Sequence, residues 1–307
     1  MKTKKHYLYF TFVFAFILLS STFLLACNKE HLAKENWSYN DTYHWHTCTA
    51  CRNHKYDEEK HTFVVLAYKE SEFLEECIKS VLNQKYKSDV VIATSTPNEY
   101  IKKMAKKYKL KVYENPNPGK GIGYDFDFAS NCVKSDIVTI AHQDDLYNYE
   151  YSYEIVNAYE KYSDSSIIFT DYYEIRNNKK EYKNRNLSIK RFLLLPLRNQ
   201  KLGKYNFFKR LVIRFGNSIC CPAVSFVQKN VPKDKFSSEL KCDVDWFAWE
   251  KLSRENGRFV FVSKSLMGHR IDESTTTTKI ISEGIRTKED LKIYRKFWPE
   301  FIAKMIN

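Results

Sequence analysis

Residues 135–147 read SDIVTIAHQDDLY, and the rest of the chain is interpreted outward from them. Ile137, Val138, Thr139, Ile140 and Ala141 form an apolar, β-branched run, short enough for a buried strand and too short for a helix. It stops at His142-Gln143-Asp144-Asp145. Open α/β sheets place ligands in the crevice beyond the carboxyl ends of their strands. Mg²⁺ and Mn²⁺ take oxygen ligands there, usually one or two carboxylates together with phosphates. Asp144 and Asp145 are therefore candidate metal ligands. Adjacent aspartates also start turns, so the flanking sequence has to decide between the two roles.

Upstream, residues 62–97 read TFVVLAYKESEFLEECIKSVLNQKYKSDVVIATSTP: a strand, a polar loop, a helix of the form LxxCxxSxxxQ, and a second strand. Leu74, Cys77, Ser80, Val81, Leu82 and Gln84 occupy that helix. This arrangement resembles the opening of the family 2 glycosyltransferases, and Asp144-Asp145 falls where that family keeps its metal-binding DxD. The resemblance runs from about Thr62 to Thr278. It implies a GT-A domain, an α/β fold with a mostly parallel sheet flanked by helices, and transfer of a sugar from a nucleotide-diphosphate donor with inversion.

The same resemblance supplies the site residues. Ala67, Tyr68, Lys69 and Glu70 form the donor loop, with Lys69 toward a phosphate and Glu70 toward a ribose hydroxyl. Thr94 and Ser95 stand where the family usually supplies a carboxylate pair against the nucleobase. Read from the residues alone, Lys120 lies in a glycine-rich turn, Gly119 to Gly123, before a helix whose amides suit a phosphate; a purely structural turn is the alternative. His142 occupies the first acidic position of the DxD, beside Gln143. A neutral imidazole can ligate a metal or bond a phosphate. Asp144, Asp145 and His269 are the expected ligands of Mg²⁺ or Mn²⁺, His269 belonging to the terminal motif Gly268-His269-Arg270-Ile271-Asp272. Asp245, followed by Trp246, is the expected general base. Asp243 is the alternative, and capping of the helix is the competing explanation for one of the two. Asp125 and Asp127 have no assignment.

Strands are expected at Thr62–Tyr68, Val90–Thr94, Leu110–Tyr113, Ile137–Ala141, Ser166–Ile175 and Gly257–Val262. Helices are expected at Glu72–Asn83, Asn98–Lys107, Tyr124–Val133 and Tyr151–Tyr162. Such alternation builds a sheet with helices on both faces.

The ends of the chain differ in character. Residues 1–27 carry Lys2, Lys4 and Lys5 before an apolar stretch, Tyr7 to Ala26, long enough to span a bilayer. Its end, Leu24-Leu25-Ala26-Cys27, resembles a bacterial lipoprotein cleavage box. A membrane anchor and a lipoprotein signal are the two readings, and both predict export of the remaining chain. Residues 28–61 hold His44, His46, Cys48, Cys51, His54 and His61. Cys-x-x-Cys spacing suits a tetrahedral Zn²⁺ completed by histidines; a Cys48–Cys51 disulfide and a plain linker are the alternatives.

The formal charge of +13 favours polyanions, and nucleic acid ranks last among them because no RNA-binding signature is present. Residues 176–214 carry thirteen Lys or Arg and one acid, Glu181, interleaved with apolar clusters. That mixture suits an anionic membrane surface. The expected partners are thus a nucleotide-sugar donor, a glycan or lipid-linked acceptor, and a membrane surface in a bacterium. The catalytic domain would face the cytoplasm, in conflict with the export signal. The alternative function is that of an exported, zinc-stabilised surface lipoprotein whose transferase-like domain only binds glycan.

Overall fold

The computed structural model describes residues 60–271 and 285–307, together with three short strands nearer the amino terminus. The chain divides into two compact units, Met1–Glu58 and Glu59–Asn307. In the first unit, β1 (Ser38–Tyr39), β2 (His44–Thr47) and β3 (Lys55–Tyr56) pair antiparallel in the order β1-β2-β3. His44 and His46 lie on β2. Cys48, Cys51 and the apolar segment 1–27 lie outside the described residues.

The second unit is built on a sheet of nine strands. Its first half consists of β4 (His61–Ala67), β5 (Asp89–Thr94), β6 (Lys111–Glu114) and β7 (Ile137–His142). All four run parallel, in the spatial order β6-β5-β4-β7. Helices α1 (Leu74–Leu82), α2 (Glu99–Tyr108) and α3 (Ile122–Asn131) make the crossovers. The chain winds outward from β4 to β6 and then returns to the other side of β4. That reversal makes the gap between β4 and β7 the topological switch point.

The second half departs from the expected parallel arrangement. The strands β8 (Leu146–Tyr147), β9 (Ser165–Arg176), β10 (Lys179–Glu181), β11 (Val224–Val227) and β12 (Arg258–Arg270) complete the sheet. Strand β11 inserts antiparallel between β7 and β9; β12 runs parallel to β9, and β8 pairs antiparallel with β12. The sheet is therefore mixed. No strand was expected at β11, because its four residues are too few to show a period. The last strand was expected to end at Val262, whereas β12 continues through Gly268, His269 and Arg270.

Both faces of the sheet are covered, which is why its strands read as continuous apolar runs. Successive residues point to opposite sides: Phe63, Val65 and Ala67 pack with α1, α2 and α4 (Tyr151–Lys161). Val64, Val138 and Ile140 pack on the other side with Phe126, Val212, Trp246 and Trp249. That second core takes in α6 (Asn206–Ile213) and α7 (Val244–Arg254), whereas α5 (Arg185–Leu193) buries Leu187 in the first. The basic 176–214 segment is thus half structural, since Leu187, Leu194, Leu197, Val212 and Ile213 are all buried. The unit closes with α8 (Ile285–Tyr294) and α9 (Glu300–Ile306).

Candidate active site

The LxxCxxSxxxQ helix has a direct structural purpose. On α1, Leu74, Cys77, Ile78 and Val81 are buried, an i, i+3, i+4, i+7 stripe against the sheet. Its polar members hold the segment after β7. The Cys77 thiol donates to the His142 carbonyl (3.2 Å), and the Ser80 hydroxyl accepts from the Tyr147 amide (3.1 Å). The Gln84 amide donates to the Asn148 carbonyl (2.9 Å) and its oxygen accepts from the Ser152 amide (3.0 Å). The loop carrying the aspartates is thereby fixed from below.

In that loop the ligand atoms of His142, Asp144 and Asp145 lie within 4.8 Å of one another. Asp145 is fully buried and accepts from the Arg270 amide (2.8 Å) and from His269 Nδ1 (3.1 Å). Burial, reinforced by the neighbouring Asp145 carboxylate, pushes the Asp144 carboxyl up to about 7. Burial holds the His142 imidazole down at about 4, so it is neutral, and its Nε2 is buried without a hydrogen-bond partner among the described residues. Two crowded carboxylates, with the neutral His142 imidazole turned to them through Nδ1 (4.0 Å from Asp145), fit a divalent cation. His269 stands beside this cluster rather than in it. Its Nδ1 is committed to Asp145, and that carboxylate outweighs burial to raise the imidazole above its ordinary value. Gly268 sets its position: a Cβ there would meet the Tyr173 ring at 2.6 Å, so only glycine lets β12 lie this close to β9.

The donor loop adjoins this cluster because β4 and β7 are neighbours, with Leu66 opposite His142. Gln143 bridges them in both directions, accepting from the Tyr68 amide (2.9 Å) and donating to the Tyr68 carbonyl (3.0 Å). Tyr68, Lys69 and Glu70 are exposed and Ala67 is buried. The Lys69 backbone is left-handed (φ 54°), and its amide donates to the Thr96 hydroxyl (2.6 Å). Thr94 is buried and accepts from the Thr96 amide (3.0 Å), a local turn rather than a free donor contact. Lys120 is exposed between Gly119 and Gly121, both at positive φ.

Asp125 brings a carboxylate to Ser95, just after the second strand. It sits in the first turn of α3 and accepts hydrogen bonds from the Ser95 hydroxyl and from the Asn115 amide (2.9 Å). Thirty residues of intervening chain hid this grouping from a local reading. Asp127 instead accepts from the Phe236 amide (3.0 Å) and the Ser237 hydroxyl (2.6 Å), which is structural.

Asp245 opens α7 with its carboxylate held by the Asn217 amide (2.7 Å) and the Trp246 backbone N–H (2.8 Å). Burial raises its carboxyl above the ordinary range. The buried Cys220 thiol lies within electrostatic reach of both Asp145 and Asp245. The Lys190 ammonium lies over the Tyr172 ring (5.3 Å) and within electrostatic reach of Asp245 and His269. Sequence reasoning missed it, since nothing local distinguishes it from the other cations of its segment.

Asp243, the alternative base, faces elsewhere. Its carboxyl lies near Arg286 (3.9 Å) and against Asp290, and it caps no helix N–H. Glu289 takes that role, accepting from the amides of Lys241, Cys242 and Asp243 (2.8, 2.8 and 3.2 Å).

His61 is not a zinc ligand. It is the first residue of β4, fully buried, with Nδ1 bonded to Ser88 (2.8 Å) and Nε2 to Thr139 (2.7 Å). Burial lowers its imidazole to about 3, which keeps it neutral in the core.

The fold and this cluster define an α/β nucleotide-sugar transferase of the GT-A type. The family model "Glycosyl transferase family 2" matches residues 62–232, more than half of the chain, and the chain belongs to that family. It is a glycosyltransferase enzyme. Solved structures agree in fold. S. aureus TarS 1–349 in complex with UDP-GlcNAc is similar with a TM-score of 0.57 at 15% identity, covering 80% of this chain and 70% of that one. A longer TarS structure from S. aureus matches with a TM-score of 0.54 at 16% identity, over 80% of this chain and 42% of that one. The mannosyltransferase PcManGT from Pyrobaculum calidifontis, in complex with GDP-Man and Mn²⁺, has a TM-score of 0.53 at 12% identity, over 80% and 68%. No curated protein matches the chain in sequence.

Proposed function

We propose that this glycosyltransferase moves a sugar from a nucleoside-diphosphate donor to a hydroxyl of a glycan or lipid-linked acceptor, with inversion. The observation that carries this reading is the His142, Asp144 and Asp145 cluster at the switch point between β4 and β7. Asp144 and Asp145, with His142, would hold Mg²⁺ or Mn²⁺ there. Such an ion supplies Lewis-acid charge to a departing diphosphate. Tyr68, Lys69 and Gln143 orient the donor, and Asp125 with Asn115 offers a carboxylate and an amide to the nucleobase. Asp245 accepts the proton of the attacking hydroxyl. Its raised carboxyl makes it a better base near neutral pH than an exposed aspartate. Asp144→Ala is expected to abolish Mn²⁺-dependent binding of a nucleoside diphosphate while leaving the thermal transition in place. Unchanged metal-linked binding by calorimetry would remove Asp144 from the site.

Family membership favours a transferase over a domain that only binds glycan; the lipoprotein signal lies outside the described residues. Association with a bacterial membrane remains part of our proposal. It rests on the exposed Ile189, Phe192, Leu195 and Phe207 of the basic segment.

A further inference from the structure

Helix α6 and its flanks read YNFFKRLVIRF (205–215), with no acidic residue. One side of the helix is structural. Val212 and Ile213 are buried, and the buried Lys209 ammonium donates to the carbonyls of Glu255 (2.6 Å) and Gly257 (3.0 Å). The other side presents Phe207, Arg210, Leu211 and Arg214, again spaced i, i+3, i+4, i+7. These four and Phe297 line an open groove of about 170 Å³.

The groove is cationic as well as apolar. Arg210 stacks over Phe297 (4.6 Å) and bonds to Glu250 (2.8 Å), but Arg254 (2.5 Å) and Lys296 (3.7 Å) share that same carboxylate. Arg214 lies over Trp298 (3.8 Å) and Phe215 (5.0 Å) and forms no ion pair among the described residues. Positive charge therefore exceeds negative at this place. Tyr205, Phe207 and Phe215 are 58%, 65% and 50% exposed, aromatics of the kind that settle at a membrane interface. The chain continues from Trp298 into α9, where Phe301 and Met305 are 72% and 76% exposed.

We propose that this groove binds one phosphate-headed lipid of an anionic bilayer, the phosphate between Arg210 and Arg214 and the acyl chain along Phe207, Leu211 and Phe297. A free anion would use the arginines but leave the apolar half of the stripe in water, whereas an acyl-bearing anion satisfies both. The inference rests on the membrane-facing reading of the 176–214 segment and narrows it to one site.

The test uses the full chain in neutral maltoside micelles, titrated with dioleoyl phosphatidylglycerol, with hydrogen exchange followed by mass spectrometry. Exchange in 205–215 and 295–299 is expected to slow by roughly tenfold, the equivalent of about 1.4 kcal/mol of site binding. Arg214→Glu and, separately, Phe207→Ser should abolish that slowing without altering donor binding. Equal slowing in Arg214→Glu, or equal slowing with phosphatidylcholine, overturns the anion site. The same protection from inorganic phosphate alone overturns the lipid. If 185–193 is protected while 205–215 is not, the groove is wrong and the membrane reading stands. If neither segment responds, the membrane reading falls with it.

Discussion

Asp245 illustrates how a single carboxylate is prepared for proton transfer. Two donors, Asn217 and the Trp246 amide, fix its geometry, and burial raises its proton affinity. Replacing it by asparagine preserves shape and removes the ability to take a proton. Turnover of the nucleotide sugar in Asp245→Asn is expected to fall by about 10²–10⁴-fold, the range positioned acid–base groups contribute, with donor affinity little changed. Steady-state kinetics beside calorimetry separates the two, and full activity would exclude Asp245 as the base. Asp125 makes a second claim at this scale. If its carboxylate meets the nucleobase, Asp125→Ala should weaken nucleoside-diphosphate binding by about 1–3 kcal/mol, the cost of a lost charged hydrogen-bond acceptor. Binding that is unaltered would restrict Asp125 to bracing Ser95 and Asn115.

Between elements, the contact of α8 with the start of α7 is decided by acids. Glu289 caps the three amides before α7, while Asp243 and Asp290 are crowded together, with Arg286 the one cation paired to them among the described residues. Burial and the Asp290 charge hold the Asp243 carboxyl well above the ordinary carboxylate range. The native state therefore keeps a proton that the unfolded chain releases from about pH 4 upward. Stability linked to this group is greatest at acid pH and is lost as pH rises through neutrality. Asp243→Asn should flatten that decline, each kcal/mol appearing as about 2–4 °C in melting temperature at this size. Parallel pH slopes in wild type and variant would show that the acid pair does not govern docking of α8.

For the whole molecule, the formal charge of +13 favours anionic surfaces. Among the described residues no helix is long and apolar enough to cross a membrane. Our proposal places the hold of this unit on a bilayer at the interface, through basic and aromatic side chains. After removal of residues 1–58, the remaining unit is expected to sediment with acidic liposomes at low salt. It should be partly released at raised salt, since screening shortens electrostatic reach from about 30 Å at 0.01 M to about 8 Å at 0.15 M. Absence from the pellet at both salts would assign the exposed Phe192 and Phe207 to some other contact.

The parallel half of the sheet, the LxxCxxSxxxQ helix and the Asp144-Asp145 pair were legible because each is local: a run of one period, a spacing within one helix, a pair at one strand end. Tertiary structure alone decided what depends on distant partners. The antiparallel β11 exists because β7 and β9 leave a slot for four residues that no period could announce. His61 reads as a ligand beside Cys48 and Cys51, yet the pairing of β4 with β7 buries it against Thr139, where burial strips its charge. Asp125 had no role until α3 brought it to Ser95 and Asn115, and Lys190 was one cation among thirteen until its helix set it within electrostatic reach of Asp245. Hydrogen bonds and burial act through a few ångströms of space, whatever the separation along the chain, and local sequence carries only the part of that information that is also near in number.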